Sequence, residues 1–389
     1  MRRMDIAVAG AGFAGLASAA LLARDGHRVT VYERFEQPRA VGAGILIQPS
    51  GLAALRVLGI DEVILRHGAR IDRLLGVTPS GRRVVDIRYR HWQDGAFGVG
   101  LHRGVLFDAL WQLARGEGAA VVTGHECTDL EALRSRHGLV VIADGCHSQL
   151  RGQSGLACTD RVYPWGAVWA VLEDAPDRYG NTLWQWYRGA GQMLGIMPTG
   201  IAPGGRTLVV SLFWSLHAQR RAAWRDAGLD GFRRQLIALH PGCEPLLSQL
   251  GSLDGLTWAR YHDIVMPAYH GERCVVVGDA AHATSPQLGQ GTNLALLDAL
   301  ALRDALRSHP ELPAALARYT ALRLAHNHFY GQASRWLTPL FQSDRRLLPW
   351  LRDLFMGWSS RWPVAGPLAR QTLVGVQTGW TPGATIALP

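Results

Sequence analysis

The chain has 389 residues, of which 48% are hydrophobic and 18% charged; this is enough for two or three domains, or one large one, and it excludes a wholly disordered protein. All 40 basic residues are arginine, against 31 acidic ones, so the formal charge of +9 is fixed at any working pH and every mechanism that needs a lysine ammonium is excluded. The five cysteines form no CxxC pair and no run approaches the roughly 18 uncharged apolar residues of a membrane span, so the expectation is a reduced, cytoplasmic protein without a structural metal.

In chain order, residues 4–9 (MDIAVA) read as a buried strand, 14–25 as a helix stopped by Gly26, and 28–32 (RVTVY) as a second strand, which together make one βαβ unit. Residues 52–58 read as a helix, 71–89 as antiparallel strands, 106–115 as a helix and 119–123 as a strand. From 162 to 269 aromatic residues and short strand-like runs dominate, at 167–172, 182–187 and 207–216, with a helix at 231–239. Residues 273–277 (RCVVV) resume the buried-strand pattern, and periodic helices follow at 293–307 and 312–334. The last segment, 335–389, holds five tryptophans.

Two stretches carry chemistry. Gly10-Ala11-Gly12-Phe13-Ala14-Gly15 lies between the first strand and its helix. Gly10 permits the tight turn, Gly12 lets backbone approach a pyrophosphate at the helix N-terminus, and Gly15 lets helix and strand pack. Glu33 ends the second strand, where a carboxylate accepts both ribose hydroxyls of an adenosine and repels a 2′-phosphate. That leaves FAD or NAD for this site. The second stretch runs from Cys274 through Gly278-Asp279 to Pro286-Gln287-Leu288-Gly289-Gln290-Gly291-Thr292-Asn293. It reads as a strand, a carboxylate at its end, and a glycine-broken loop entering a helix. Asp279 suits a polyol, and the amides of residues 289–293 suit an electron-rich carbonyl edge.

With these motifs in order, and with Ala143-Asp144-Gly145-Cys146-His147-Ser148-Gln149-Leu150-Arg151 between them, the chain resembles the FAD-dependent aromatic hydroxylases, the single-component group typified by p-hydroxybenzoate and salicylate hydroxylases. Residues 39–45 (RAVGAGI) and 102–106 (HRGVL) also match family stretches. The resemblance spans about three quarters of the chain, roughly residues 4–300. It implies a mixed α/β fold: a Rossmann-type FAD-binding domain (1–70, 99–160 and 265–325), an inserted sheet-rich substrate domain (71–98 and 161–264) and a C-terminal helical segment (326–389). It implies an oxidoreductase that uses NADH or NADPH and O₂ to hydroxylate an aromatic or heteroaromatic small molecule through a flavin C4a-hydroperoxide.

The resemblance also implies roles. Gly10, Gly12, Ala14, Gly15 and Glu33 would hold the adenosine end of FAD, with Gly44 and Ile45 in a family stretch beside it. Arg103 would lie near the pyrophosphate and ribityl chain, and Asp279 on the ribityl hydroxyls. Gly289, Gly291, Thr292 and Asn293 would bind the pyrimidine side of the ring system, with Pro286 at its reactive edge. Asp144 would serve both FAD and NAD(P)H, and Arg39 the nicotinamide cofactor. His282 is the candidate proton shuttle nearest the loop, with a helix-entry hydrogen bond as the alternative. Trp186, Tyr187 and His217 are substrate candidates, drawn from a pool that includes Trp169, Tyr261 and His262; core packing explains each of them as well. One departure stands out: relatives carry a β-meander before the Asp144-Gly145 motif, and here only residues 124–139 are available for it. Two other readings remain open. One is a hydroxylase of a quinone- or lipid-like ring that makes a peripheral membrane contact through its tryptophan-rich tail, and the other is a non-catalytic flavin-fold binding protein. Nothing points to nucleic acid.

Overall fold

The computed structural model describes residues 3–38, 43–345, 347–359 and 362–389. The β-branched and alanine-rich runs near the N-terminus form the expected unit: strand Asp5–Ala9, helix Phe13–Arg24 and strand Arg28–Tyr32. The two strands pair in parallel, with Ile6 opposite Val29 and Val8 opposite Val31. They sit inside a six-stranded sheet ordered His270–Gly271, Cys274–Val276, Leu139–Ile142, Asp5–Ala9, Arg28–Tyr32, Ala120–Val122. All of its neighbours pair in parallel except the edge pair His270–Gly271 with Cys274–Val276. The first strand is central, and the chain leaves it to one side and later fills the other. The carboxyl ends of Asp5–Ala9 and Leu139–Ile142 are therefore the switch point, where a doubly wound sheet opens a ligand crevice.

The helix Gly291–Ser308 packs on the Phe13–Arg24 helix, and their alanine and leucine faces join the strands in the largest core. Where the family pattern has a β-meander, the chain forms one short helix, Leu130–Arg136, capped by Asp129 accepting from the Ala132 amide. The strand Ala120–Val122 is consequently the sheet edge on that side.

A seven-stranded sheet lies beyond, ordered Thr257–Val265, Thr159–Glu173, Leu208–His217, Gln192–Ile201, Thr182–Arg188, Arg73–Val77, Arg83–Arg88. The short runs at 167–172 and around 162 are in fact one 15-residue strand, bent by a bulge between Val162 and Gly166. The segment 71–89 divides: Ala69–Ile71 joins a small sheet with Gly98–His102 and Gly44–Ile47, while the two strands after it join the large sheet. One face of the large sheet carries Trp186, Trp214, Leu212 and Val168 and is covered by helices between 221 and 247. Side-chain alternation sends the intervening residues to the opposite face.

The helix Leu312–Phe341 runs past the expected end at 334 and carries Pro339 two residues before its last residue. Its last turn is closed instead by the Gln342 amide donating to the Thr338 carbonyl. Two further helices, Leu347–Ser359 and Ala365–Val374, complete the C-terminal segment. No helix among the described residues is long and apolar enough to cross a membrane.

Candidate cofactor groove and active site

The first turn is built as its glycines predict. Gly10 has φ +104°, and a Cβ there would collide with the Ala143 carbonyl oxygen on the neighbouring strand. A Cβ on Gly15 would collide with the Gly10 carbonyl oxygen, whereas one on Gly12 would meet nothing within 4 Å. The turn is thus closed at Gly10 and Gly15 and open at Gly12. Gly12 caps the helix with no side-chain acceptor, which leaves the first amides of the helix directed outward. The Glu33 carboxylate is buried at 8% exposure and accepts from the Ala11 amide (2.9 Å) and the Phe35 amide (3.1 Å). Two bonds leave a carboxylate with capacity for more donors.

The second stretch meets the first. A Cβ on Gly278 would lie 2.7 Å from Cβ of Ala14, so Ala14 is the packing contact between the first helix and the Asp279 turn, and no part of its side chain is left for a ligand. Asp279 is exposed to the groove, 3.7 Å from where a Cβ on Gly291 would sit. Arg103 lies over the Phe13 ring at 5.1 Å and feels the Asp279 charge. Burial depresses its pKa, which Asp279 partly restores, and none of its donors has an acceptor among the described residues. Glu33, the Gly12 turn, Phe13, Arg103, Asp279 and Gly291 are thus linked neighbour to neighbour.

The loop at the far end is held from three sides. Ser285 Oγ lies 2.8 Å from Ser334 Oγ and 2.7 Å from Thr338 Oγ1, both on the long helix. Gln290 Nε2 donates to the carbonyls of Thr372 (3.1 Å) and Leu373 (2.7 Å) in the C-terminal segment. Asn293 accepts from the Gln48 amide and donates to the Leu46 and Gly289 carbonyls, so its side chain locks the loop to the Gly44–Ile47 strand and only its amide remains. The Gly289 amide is likewise spent on the Pro286 carbonyl. The amides of Gly291, Thr292 and Asn293 have no backbone acceptor among the described residues. Gln48 Nε2 is buried without an acceptor, 4.0 Å from where a Cβ on Gly289 would sit, while Gln48 Oε1 takes the Tyr89 hydroxyl. Pro286 begins a short turn and is exposed.

Several candidates belong elsewhere. His282 is buried, with Nε2 2.5 Å from Asp298 Oδ2; Asp298 also takes the Gly278 amide and Arg323. Burial alone would raise the Asp298 pKa, but His282 and Arg323 hold it well below the carboxylate range. His282 is therefore a prop beneath the Asp279 turn and not a shuttle at its mouth. Trp186 is stacked between His240 (3.9 Å) and Trp184 (5.6 Å) on the outer face of the large sheet. Tyr187 points the other way but is fully buried, with its hydroxyl bound to Gln185 and its ring against Phe341 under Arg352. His217 accepts from the Gln219 amide at the end of its strand, 4.0 Å from Asp344. The Gly44 amide is spent on Ser211, and Ile45 is core. Arg39 lies outside the described residues.

On the inner sheet face, Trp169 and Phe213 lie 5.1 Å apart, and the buried Tyr261 hydroxyl has Trp169 as its polar neighbour. The Tyr163 hydroxyl faces Ser285, Ser334 and Thr338 without reaching hydrogen-bond geometry, and burial raises its pKa. Arg151 joins the two turns: it donates to the Ala280 carbonyl (2.8 Å), the Cys146 carbonyl (3.1 Å) and Asp160 (3.0 Å). Asp144, beside Gly10, has a pKa raised by burial, which the Ser148 hydroxyl partly offsets, and its Oδ1 is buried without a partner. Strand alternation could have placed Trp169 and Phe213 once the register was known. The roles of Arg151, Gln48 and Gln290 depend on contacts far apart in sequence.

A parallel sheet with a glycine turn at its switch point, an acidic residue on the second strand and a second carboxylate turn in the same groove define a dinucleotide-binding flavoprotein fold. The chain belongs to the FAD binding domain family, whose pattern it matches over residues 3–132 and 96–328. It is 28% identical over 374 residues to aurachin C monooxygenase/isomerase of Stigmatella aurantiaca, covering 91% of this chain and 94% of that one. It is 29% identical over 381 residues to 3-amino-4-hydroxybenzoate 2-monooxygenase of Streptomyces cremeus, covering 87% and 88%. The fold matches that of HpxO of Klebsiella pneumoniae, solved with FAD and uric acid, at a TM-score of 0.77 and 22% identity over 95% and 97% of the two chains.

Proposed function

We propose that this chain is an FAD-dependent monooxygenase that uses NAD(P)H and O₂ to place one hydroxyl group on an aromatic or heteroaromatic small molecule. The observation that carries the reading is a close approach: a Cβ on Gly278 would lie 2.7 Å from Cβ of Ala14, so the Asp279 turn abuts the start of the first helix, which supports one continuous site for the two motifs. The donor set fits FAD. Glu33 suits the ribose, the amides after Gly12 and the unpaired Arg103 suit the pyrophosphate, and Asp279 suits the ribityl hydroxyls. The amides of Gly291–Asn293 and the orphaned Gln48 Nε2 suit the carbonyl edge of the ring system. When bound, FAD supplies reduction by NAD(P)H and activation of O₂ for transfer of one oxygen atom.

The chain's own residues orient and dry the site. Ser285, Gln290 and Asn293 fix the loop that carries Pro286. Leu46, Leu183, Met197, Leu373 and Val374 form one apolar cluster above it, with Phe213 packed on it, and exclude water. Trp169, Phe213, Tyr261 and Tyr163 form the wall for a flat ring. Both tyrosine pKa values are raised by burial, so these hydroxyls remain neutral hydrogen-bonding groups and do not act as bases. Asp144 lies beside the Gly10 turn, which suits a role in supporting the cofactor. The test is a screen of aromatic compounds for stimulated NAD(P)H oxidation by the purified yellow protein, with product mass read for one added oxygen. Stimulation without an oxygenated product in any case would reduce the assignment to an oxidase.

A further inference from the structure

Cys146, His147 and His262 meet at the edge of the groove, and the function above uses none of them. Cys146 and His147 follow the Asp144-Gly145 turn directly, and His262 comes from the strand Thr257–Val265, 115 residues later. One ligand atom from each lies within 4.8 Å of the other two. The two rings meet edge to face at 4.5 Å. The cluster is built from three sides of burial: His262 is buried, Cys146 is half-buried and His147 is exposed.

The second observation is the support behind His262. Its Nδ1 lies 2.8 Å from Asp160 Oδ1, which fixes that nitrogen as the proton donor and leaves Nε2 with its lone pair. A carboxylate on the far nitrogen is the arrangement that orients metal-ligating histidines and raises their basicity. Asp160 in turn accepts from Arg151, whose same nitrogen also donates to the Cys146 carbonyl. One guanidinium thus holds both the Cys146 backbone and the carboxylate behind His262.

We propose that Cys146, His147 and His262 form a Zn²⁺ site with water in the fourth position. A tetrahedral ion with bonds of about 2.3 Å to sulfur and 2.0–2.1 Å to nitrogen needs its donors about 3.5 Å apart. The exposed His147 is free to swing the remaining distance, because neither of its ring nitrogens has a hydrogen-bond partner among the described residues. One thiolate and two imidazoles favour zinc over magnesium or calcium, which take oxygen. The bound ion cross-links the Asp144 turn to the strand that leads, through the Ile264 amide on the Ala283 carbonyl (2.8 Å), into the loop bearing Pro286. Its role is to clamp the floor of the groove to the substrate sheet and slow the escape of FAD.

The test uses the chelator-treated holoenzyme and Co²⁺ as the probe. Addition of one equivalent gives tetrahedral d–d bands at wavelengths beyond the flavin absorption, and Zn²⁺ abolishes them. His147→Ala, a change at an exposed side chain that leaves folding intact, removes the bands, as does Cys146→Ser. Cys158→Ala, which removes an exposed thiol outside the cluster, leaves them unchanged. Zn²⁺ slows FAD loss on dilution in the parent protein and not in His147→Ala. Absence of the bands, or their survival in His147→Ala, overturns the site. Bands without any change in FAD loss overturn the clamp.

Discussion

On the floor of the groove, each important residue and the signal that reveals it lie side by side in the chain. Gly10, Gly12, Gly15 and Glu33 fall within one βαβ unit, and the structure uses their backbone and one carboxylate. On the sheet wall opposite, neighbours in sequence face opposite ways. Trp184 and Trp186 enter the outer core beneath His240, while Leu183 and Tyr187 turn inward. A turn motif states its geometry locally. A strand states only an alternation, and which set faces the ligand depends on pairing with distant strands.

The largest expected effect lies at the floor. Gly15→Val places a branched side chain against the Gly10 carbonyl, and the expected result is protein without bound flavin, read as the ratio of flavin to protein absorbance. Full occupancy would mean that the turn does not hold the cofactor. At the wall, Trp186→Ala should cost about 3–5 kcal/mol of stability by the loss of a buried aromatic and leave KM for the substrate unchanged. Trp169→Ala should raise KM with a smaller loss of stability; denaturant unfolding and steady-state kinetics on both variants decide which face is the wall. Glu33→Ala should weaken FAD by about 1.5–3 kcal/mol, as expected of charge-assisted bonds, measured by FAD titration of the apoprotein.

The smallest effect concerns pH. His326 is fully buried, bonded to the Gly375 carbonyl, and its pKa is held well below the usual value by burial and then by Arg323. A folded form that refuses a proton loses stability as pH falls below the unfolded histidine value of about 6.5, with a slope of up to about 1.4 kcal/mol per pH unit for one group. His326→Asn should flatten the fall of Tm between about pH 6.5 and 5. An unchanged slope would assign the acid sensitivity to other buried groups.

The sequence made the two-turn groove legible because both turns are contiguous and because glycine and aspartate are restricted in what they do there. It also revealed the missing meander, though not that a capped helix replaces it. The substrate face was not legible. Tyr187, Trp186 and His217 have suitable chemistry, but parity and packing give one to each of three separate environments. His282 was misplaced for a similar reason: it lies three residues after Asp279, yet a short helix turns it inward to Asp298. The three braces on the loop come from residues 48, 334, 338 and 372–373, none of which a local pattern connects to Asn293, Ser285 or Gln290.

The tie between Gln290 and the carbonyls of Thr372 and Leu373 has a consequence for biosynthesis. Translation delivers the glycine-rich loop some eighty residues before the segment that fastens it. Until residues 372 and 373 have been synthesised, the Gln290 amide lacks both of these acceptors and the loop lacks that fastening. The order of synthesis therefore places the fastening of this loop after the loop itself.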